Sequence, residues 1–226
     1  MISTPPTVAF IKGDGEREIS KPGDRDYSNF SIEKYSRAAL INQGFEVCEI
    51  DISHGDTIPS LINIVVLAEM RTPLTEKGES QLETYLARGG NLFILTDTGR
   101  QEIMNPFLGR FGIKMEEYQL AQSSADFSPN LILAKATRES GKLTFGFKDD
   151  FPKHDLRVSM PGCVALTSFD NDYGFQYTPI LETNAKGVWI EKEQTDLEDS
   201  PVQCNASAAE KEQTYITAYA LSRQLK

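Results

Sequence analysis

The stretch from Asn63 to Asp97 constrains this chain more than any other. Asn63-Ile-Val-Val-Leu-Ala-Glu-Met70 is an apolar run of strand length, and Arg71-Thr-Pro-Leu-Thr75 breaks it. Leu82, Tyr85 and Leu86 then recur at helical spacing, Gly89-Gly90 stops that helix, and Asn91-Leu-Phe-Ile-Leu-Thr-Asp97 is a second apolar run. Two buried-type strands joined through a helix predict a βαβ crossover in a parallel sheet. Sheets of that kind place ligand-contacting residues at the carboxyl ends of their strands. Those positions here offer Glu69, Arg71, Thr72, Asp97 and, a little further on, Arg100, with no nucleophile beside a base.

The flanking segments extend the pattern. Thr7-Val-Ala-Phe-Ile-Lys12 reads as a first strand and runs into Gly13-Asp-Gly-Glu16. Ile32, Tyr35, Ala38 and Ala39 form an apolar stripe at helical spacing, ended by Gly44, and Phe45-Glu-Val-Cys-Glu-Ile50 alternates as a second strand. Met104, Phe107, Leu108 and Phe111 repeat at helical intervals before Gly112. The order β-α-β-β-α-β-α up to residue 121 predicts an α/β core: a doubly wound, mostly parallel sheet of flavodoxin-like or Rossmann-like type. Residues 122–226 read as a β-rich second half packed on, or returning to, the same sheet. Short strands are expected at Leu131–Ala134, Leu143–Phe147, Cys163–Phe169, Tyr177–Thr183 and Gly187–Lys192. Residues 193–213 are acidic and polar and read as a mobile loop, with Tyr215–Leu221 a strand or a helix start.

At 226 residues the chain can bury a full core without disulfides or metal. Its formal charge of -10 repels phosphate backbones and anionic lipid surfaces alike, which argues against nucleic acid as a partner. No apolar run reaches the ~18 residues of a membrane span, and the first residues lack the basic and apolar regions of a signal peptide. Cys48, Cys163 and Cys204 are far apart, and Cys48 reads as a small core residue.

The candidate chemistry is sparse. Gly13-x-Gly15-Glu16-Arg17 sits where a phosphate loop would, but the position of a third fingerprint glycine is Glu18 and no Gly-Lys-Ser/Thr follows. A tight turn needing positive φ explains the two glycines more simply. Asp51, His54 and Asp56 could ligate a metal, although polar residues are expected in any loop after a strand. Asp170-Asn-Asp172 before Tyr173-Gly174 has the look of a calcium-loop fragment without the closing glutamate. A nucleophile would have to be Thr72, Cys163 or Cys204, and neither His54 nor His154 lies in a partner motif. No cofactor is expected. The candidate ligand- or partner-binding set is Gly13, Asp14, Gly15, Glu16, Arg17, Glu69, Arg71, Thr72, Asp97 and Arg100.

Several of these segments, taken in order, resemble a known family. They are the strand leading into Gly13-Asp-Gly-Glu16, the Gly44-Phe-Glu-Val47 strand start, Ile58-Pro59, Arg71-Thr-Pro-Leu-Thr75 and Tyr85-Leu-Ala-Arg-Gly-Gly90. Thr178-Pro-Ile-Leu-Glu-Thr183, Trp189-Ile-Glu191 and Ala218-Tyr-Ala-Leu-Ser-Arg223 continue the match. The order is similar to that of the soluble domain of GldG-type ABC-transporter auxiliary proteins, first known from gliding motility. The resemblance implies a fold related to class I glutamine amidotransferases without the catalytic cysteine. Related domains occur in an intraflagellar-transport subunit and in glycosidase accessory domains. It further implies an extracytoplasmic domain held to the membrane by flanking segments, working with the permease and ATPase subunits of a transporter, with a small glycan or peptide as a possible ligand. The family supplies no catalytic residues. The expected function is therefore a non-catalytic interaction module. The alternatives are a hydrolase or amidotransferase-like enzyme of the same fold, or a carbohydrate-binding accessory domain using Trp189, Tyr173 and Tyr177.

Overall fold

Strand β1 (Thr7–Lys12) is buried along almost its whole length and lies between two parallel neighbours. The computed structural model describes residues 4–20, 27–169, 174–194, 196–198 and 202–224. They form two compact units, one running to Thr96 and the other from Asp97.

In the first unit β1 is followed by a single helical turn, α1 (Ser28–Ser31), then by β2 (Glu46–Asp51) and β3 (Ile62–Ala68). Helix α2 (Glu76–Ala87) and β4 (Asn91–Leu95) complete it, with sheet order β2-β1-β3-β4 and every pairing parallel. The crossover expected between Asn63 and Asp97 is present as β3-α2-β4. Its helix starts at Thr75, whose hydroxyl accepts the Gly78 N–H at 3.1 Å, and the acidic Glu76 and Glu79 favour that end of the helix dipole. Leu82 and Tyr85 face the sheet and are buried. The helix ends where it must: Gly89 has φ +91°, and a Cβ at Gly90 would lie 2.3 Å from the Tyr85 ring. The Tyr85 hydroxyl donates to the Asn91 carbonyl at 3.1 Å and accepts the Asn91 N–H at 3.0 Å, so one side chain fixes the entry to β4. Val8, Phe10, Ile19, Val66 and Ala68 form the core on one face.

The apolar stripe Ile32–Ala39 does not become a helix. The chain turns repeatedly here, and Tyr35 is 98% exposed. Asn42 explains why: its Nδ2 donates to the carbonyls of Glu33, Lys34 and Ser36 at 3.1, 3.0 and 2.8 Å. A carboxylate oxygen of Glu33 accepts the Tyr35 N–H at 3.0 Å. These side-chain bonds satisfy the backbone groups that a helical ladder would otherwise use.

The second unit opens with α3 (Gln101–Gly109), which buries Met104, Phe107 and Leu108 at the expected spacing. Everything after it is antiparallel. Strand β5 (Ile113–Gln122) pairs with β8 (Val164–Ser168) and β10 (Val188–Ile190). Strand β6 (Leu131–Ala136) pairs with β7 (Val158–Pro161) and β9 (Gln176–Glu182), and β9 with β11 (Ile216–Ser222). The flavodoxin-like or Rossmann-like doubly wound fold is therefore overturned. Such a fold needs helices covering both faces of one continuous parallel sheet. Here parallel pairing stops at four strands, only α2 and α3 exceed two turns among the described residues, and β-rich antiparallel sheets make up the rest.

Two further expectations change. Leu143–Phe147 is a turn entering a π-helical turn (Gly146–Asp150), followed by the one-turn α4 (Phe151–Lys153), and not a strand. The acidic segment after 193 is anchored in its described part. Leu197 and Val202 pack on the buried Trp189, whose indole N–H donates to Glu191 at 2.9 Å. Glu191 then accepts the N–H groups of Glu193 and Gln194, and Glu210 those of Lys192 and Asn205. No helix among the described residues is long and apolar enough to cross a membrane.

Candidate functional site

The carboxyl ends of β1 and β3 converge on one backbone atom. After Lys12 the chain needs two residues with positive φ, Gly13 at +123° and Gly15 at +79°. The resulting turn points the Asp14 carbonyl at the loop after β3. There it accepts the N–H groups of Arg71 and Thr72 and the Thr72 hydroxyl, each at 3.1 Å. Arg17 closes the same junction from the other side, its N–H donating to the Ala68 carbonyl at 3.1 Å and its guanidinium pairing with Glu69. That guanidinium also lies over the Tyr27 ring, 5.9 Å from its centroid. Glu69 holds φ +50°, a left-handed conformation costly for a residue with a Cβ, while its N–H donates to Leu95 at 2.8 Å.

Eight of the ten candidate residues thus belong to one interlocked pair of loops. Asp14, Glu16 and Glu69 point inward and are buried; Gly13, Gly15, Arg71 and Thr72 are on the outside. One oxygen of Glu16 accepts the Asp14 N–H at 2.8 Å, and its other oxygen, like Asp14 Oδ2, is buried with no hydrogen-bond partner among the described residues. Burial pushes the Glu16 carboxyl above its ordinary value, and burial followed by the charge of Asp51 does the same to Asp14. Asp51 is held in the opposite direction, first by the Ser53 hydroxyl, which donates to it. Gly13 is pressed against this pair: a Cβ there would lie 2.6 Å from Asp51 Oδ1 and from Ser53 Oγ.

The remaining two candidates lie in the second unit. Asp97 accepts the Thr98 N–H at 2.8 Å, and Arg100 stands at the start of α3, its carbonyl accepting from Ile103 and Met104.

The proposed nucleophiles are differently occupied. Thr72 donates its hydroxyl proton to a backbone carbonyl. Burial pushes the Cys163 thiol up to about 12, far from a thiolate at neutral pH. His54 Nδ1 lies 2.9 Å from Ser53 Oγ, but that hydroxyl is already committed to Asp51. No group of three or more His, Cys, Asp or Glu side chains among the described residues is arranged to hold a metal ion. The calcium-like Asp170–Tyr173 segment lies outside the described residues. So does Tyr173 of the aromatic trio; of its other members, Trp189 is core at 1% exposure and Tyr177 donates its hydroxyl to the Phe111 carbonyl at 3.0 Å. Sequence reading missed the buried Glu191 and Glu210, because a single carboxylate at a strand end, or one in an acidic tract, looks like solvated surface.

Residues 5–134 match the model of a family described as an ABC-type uncharacterized transport system. No curated protein matches the chain. A solved structure, "mmIFT52 N-terminal domain", is similar over 80% of this chain and 74% of that one, with a TM-score of 0.54 and 15% identity. At that identity the likeness is one of fold.

Proposed function

This chain belongs to the family of ABC-type uncharacterized transport systems, as an auxiliary component, and from that membership we propose that it is a non-catalytic docking module for the transporter's membrane subunits. The observation that carries the reading is the triple hydrogen bond on the Asp14 carbonyl. It locks two strand-end loops into one rigid outer surface of Gly13, Gly15, Arg71 and Thr72. A preorganised surface loses little entropy on binding, and an exposed arginine on it is a residue type that dominates interfaces. The inward carboxylates serve this frame and do not open onto a reactive centre. Energy for transport then comes from a separate ATPase subunit, and the order of motifs shared with GldG-type proteins supports an extracytoplasmic position beside a permease.

A photo-crosslinking residue at Arg71, in the full protein expressed with its transport system, tests this directly. Adducts identified as the permease, and reduced by Thr72→Arg, are the expected result. Saturable ATP hydrolysis by the purified chain that disappears in Gly15→Val would overturn it.

A further inference from the structure

The second unit carries a feature that the strand-end loops do not explain. Between β6 and β7 the chain forms a 3-10 turn (Glu139–Lys142), the π-helical turn and α4, and these enclose an open groove of about 620 Å³. Arg138, Lys142 and Lys148 line it beside Phe147 and Pro152, and Glu139 is the single acidic residue in the lining. Among the described residues, none of the three cations is in an ion pair. A chain with formal charge -10 has here concentrated unpaired positive charge around a cavity.

The base of the groove is fixed. Thr137 donates its hydroxyl to the Pro179 carbonyl at 2.6 Å and its N–H to Ile180 at 3.0 Å, riveting the segment to β9. Buried Ser140 in turn donates its hydroxyl to the Thr137 carbonyl at 2.7 Å and its N–H to the Thr137 hydroxyl at 3.0 Å. Gly141 lets the two turns approach: a Cβ there would stand 3.3 Å from the Lys148 Cα. In the link between those turns, Leu143 is 46% and Phe145 72% exposed. Apolar side chains this open, next to a cationic cavity, form the two-part chemistry of an interfacial membrane contact.

We propose that this groove binds the phosphate headgroup of an anionic phospholipid, with Leu143 and Phe145 entering the adjoining acyl boundary. Arg138 supplies a fork of N–H donors matched to phosphate oxygens, and the two lysines supply point charges. The overall negative charge does not forbid this. At physiological salt, charges more than about 8 Å from the headgroups are largely screened, so the local balance decides, and there Arg138, Lys142, Lys148 and Lys153 outnumber Glu139, Asp149 and Asp150. The inference concerns a different unit from the strand-end loops and does not depend on which transporter subunit those loops contact.

The test is co-sedimentation of the full chain with vesicles of phosphatidylcholine alone or with about a third phosphatidylglycerol. Binding to the anionic vesicles only, weakened by added salt, is expected. The charge reversal Arg138→Glu with Lys148→Glu should lower it by about tenfold or more, and Leu143→Ser with Phe145→Ser by about tenfold. These positions are exposed or line an open groove, and circular dichroism checks that each variant stays folded. Equal binding to both vesicle types, or wild-type binding by the charge reversal, overturns the proposal. Binding of pyrophosphate that Arg138→Glu with Lys148→Glu abolishes, with no binding to either vesicle type, assigns the groove to a free phosphate compound instead. Binding of a poly-glutamate peptide with no vesicle binding assigns it to an acidic protein segment. Either result removes the lipid.

Discussion

At the residue scale, Gly13 and Glu16 carry opposite lessons about the strand-end junction. Gly13 is required by geometry, because its φ is +123° and a Cβ would collide with Asp51 Oδ1 and Ser53 Oγ at 2.6 Å. Gly13→Ala should destabilise the first unit by about 2–3 kcal/mol, read as a lower urea midpoint at unchanged slope. Glu16 is tolerated for its hydrogen bond to the Asp14 N–H, although burial raises its pKa above the ordinary 4.5. A carboxyl with a raised folded-state pKa binds more protons folded than unfolded between the two values. Stability therefore rises as pH falls through that window, and the burial penalty is fully present above it. Glu16→Gln keeps an oxygen acceptor and removes the charge. It should gain stability relative to wild type at neutral pH, with the gap closing toward pH 4.5. A constant gap across that range would mean that Glu16 does not titrate with folding. Glu69→Ala acts differently, because it takes a carboxylate from the buried Arg17 pair, and should cost about 3 kcal/mol.

At the scale of elements, the segments read correctly were those whose own periodicity decides their structure. The β3-α2-β4 crossover and α3 were legible because apolar spacing, capping and glycine stops agree within each segment. The loop at 32–39 was not, because its helical spacing is outvoted by Asn42, a single amide that gathers three carbonyls. Removing that amide tests the explanation. Asn42→Ala should cost about 1 kcal/mol and speed amide hydrogen exchange at residues 33–43 while leaving β1 and β3 protected. Leu143–Phe147 misled in the same way: its alternating apolar residues imitate a strand, yet Leu143 and Phe145 are exposed, and their alternation marks a surface and not a core face. Within the candidate site, the glycine turn and the loop after β3 could be named from strand ends alone. Their mutual lock through one carbonyl oxygen could not, because a backbone acceptor leaves no trace in residue identity. Strand β5 went unseen for a related reason. Its central Glu116 and Glu117 interrupt the apolar pattern, and only the pairing with β8 and β10 makes it a strand.

At the scale of the whole molecule, the doubly wound expectation failed because a crossover is a local event while a fold class is a count of them. Four parallel strands satisfy every strand signal in the first hundred residues, and nothing in that stretch announces that the next sheets are antiparallel. Each unit also has a core cluster of its own among the described residues. Val8, Phe10, Ile19, Val66 and Ala68 fill one, whereas Leu120, Ile132, Ala165, Val188 and Tyr215 fill another. The only tryptophan, Trp189, is 1% exposed in the second unit, packed on Ala121, Leu197 and Val202. Its fluorescence is therefore a private reporter of that unit, while far-ultraviolet circular dichroism reads both. A unit with its own core can unfold as its own cooperative step. Gly13→Ala, confined to the first unit, should lower the urea midpoint of part of the dichroism signal and leave the Trp189 emission midpoint where it was. If both midpoints move together by the same amount, the units unfold as one, and a lesion at the β1 turn is felt by every strand after Thr96.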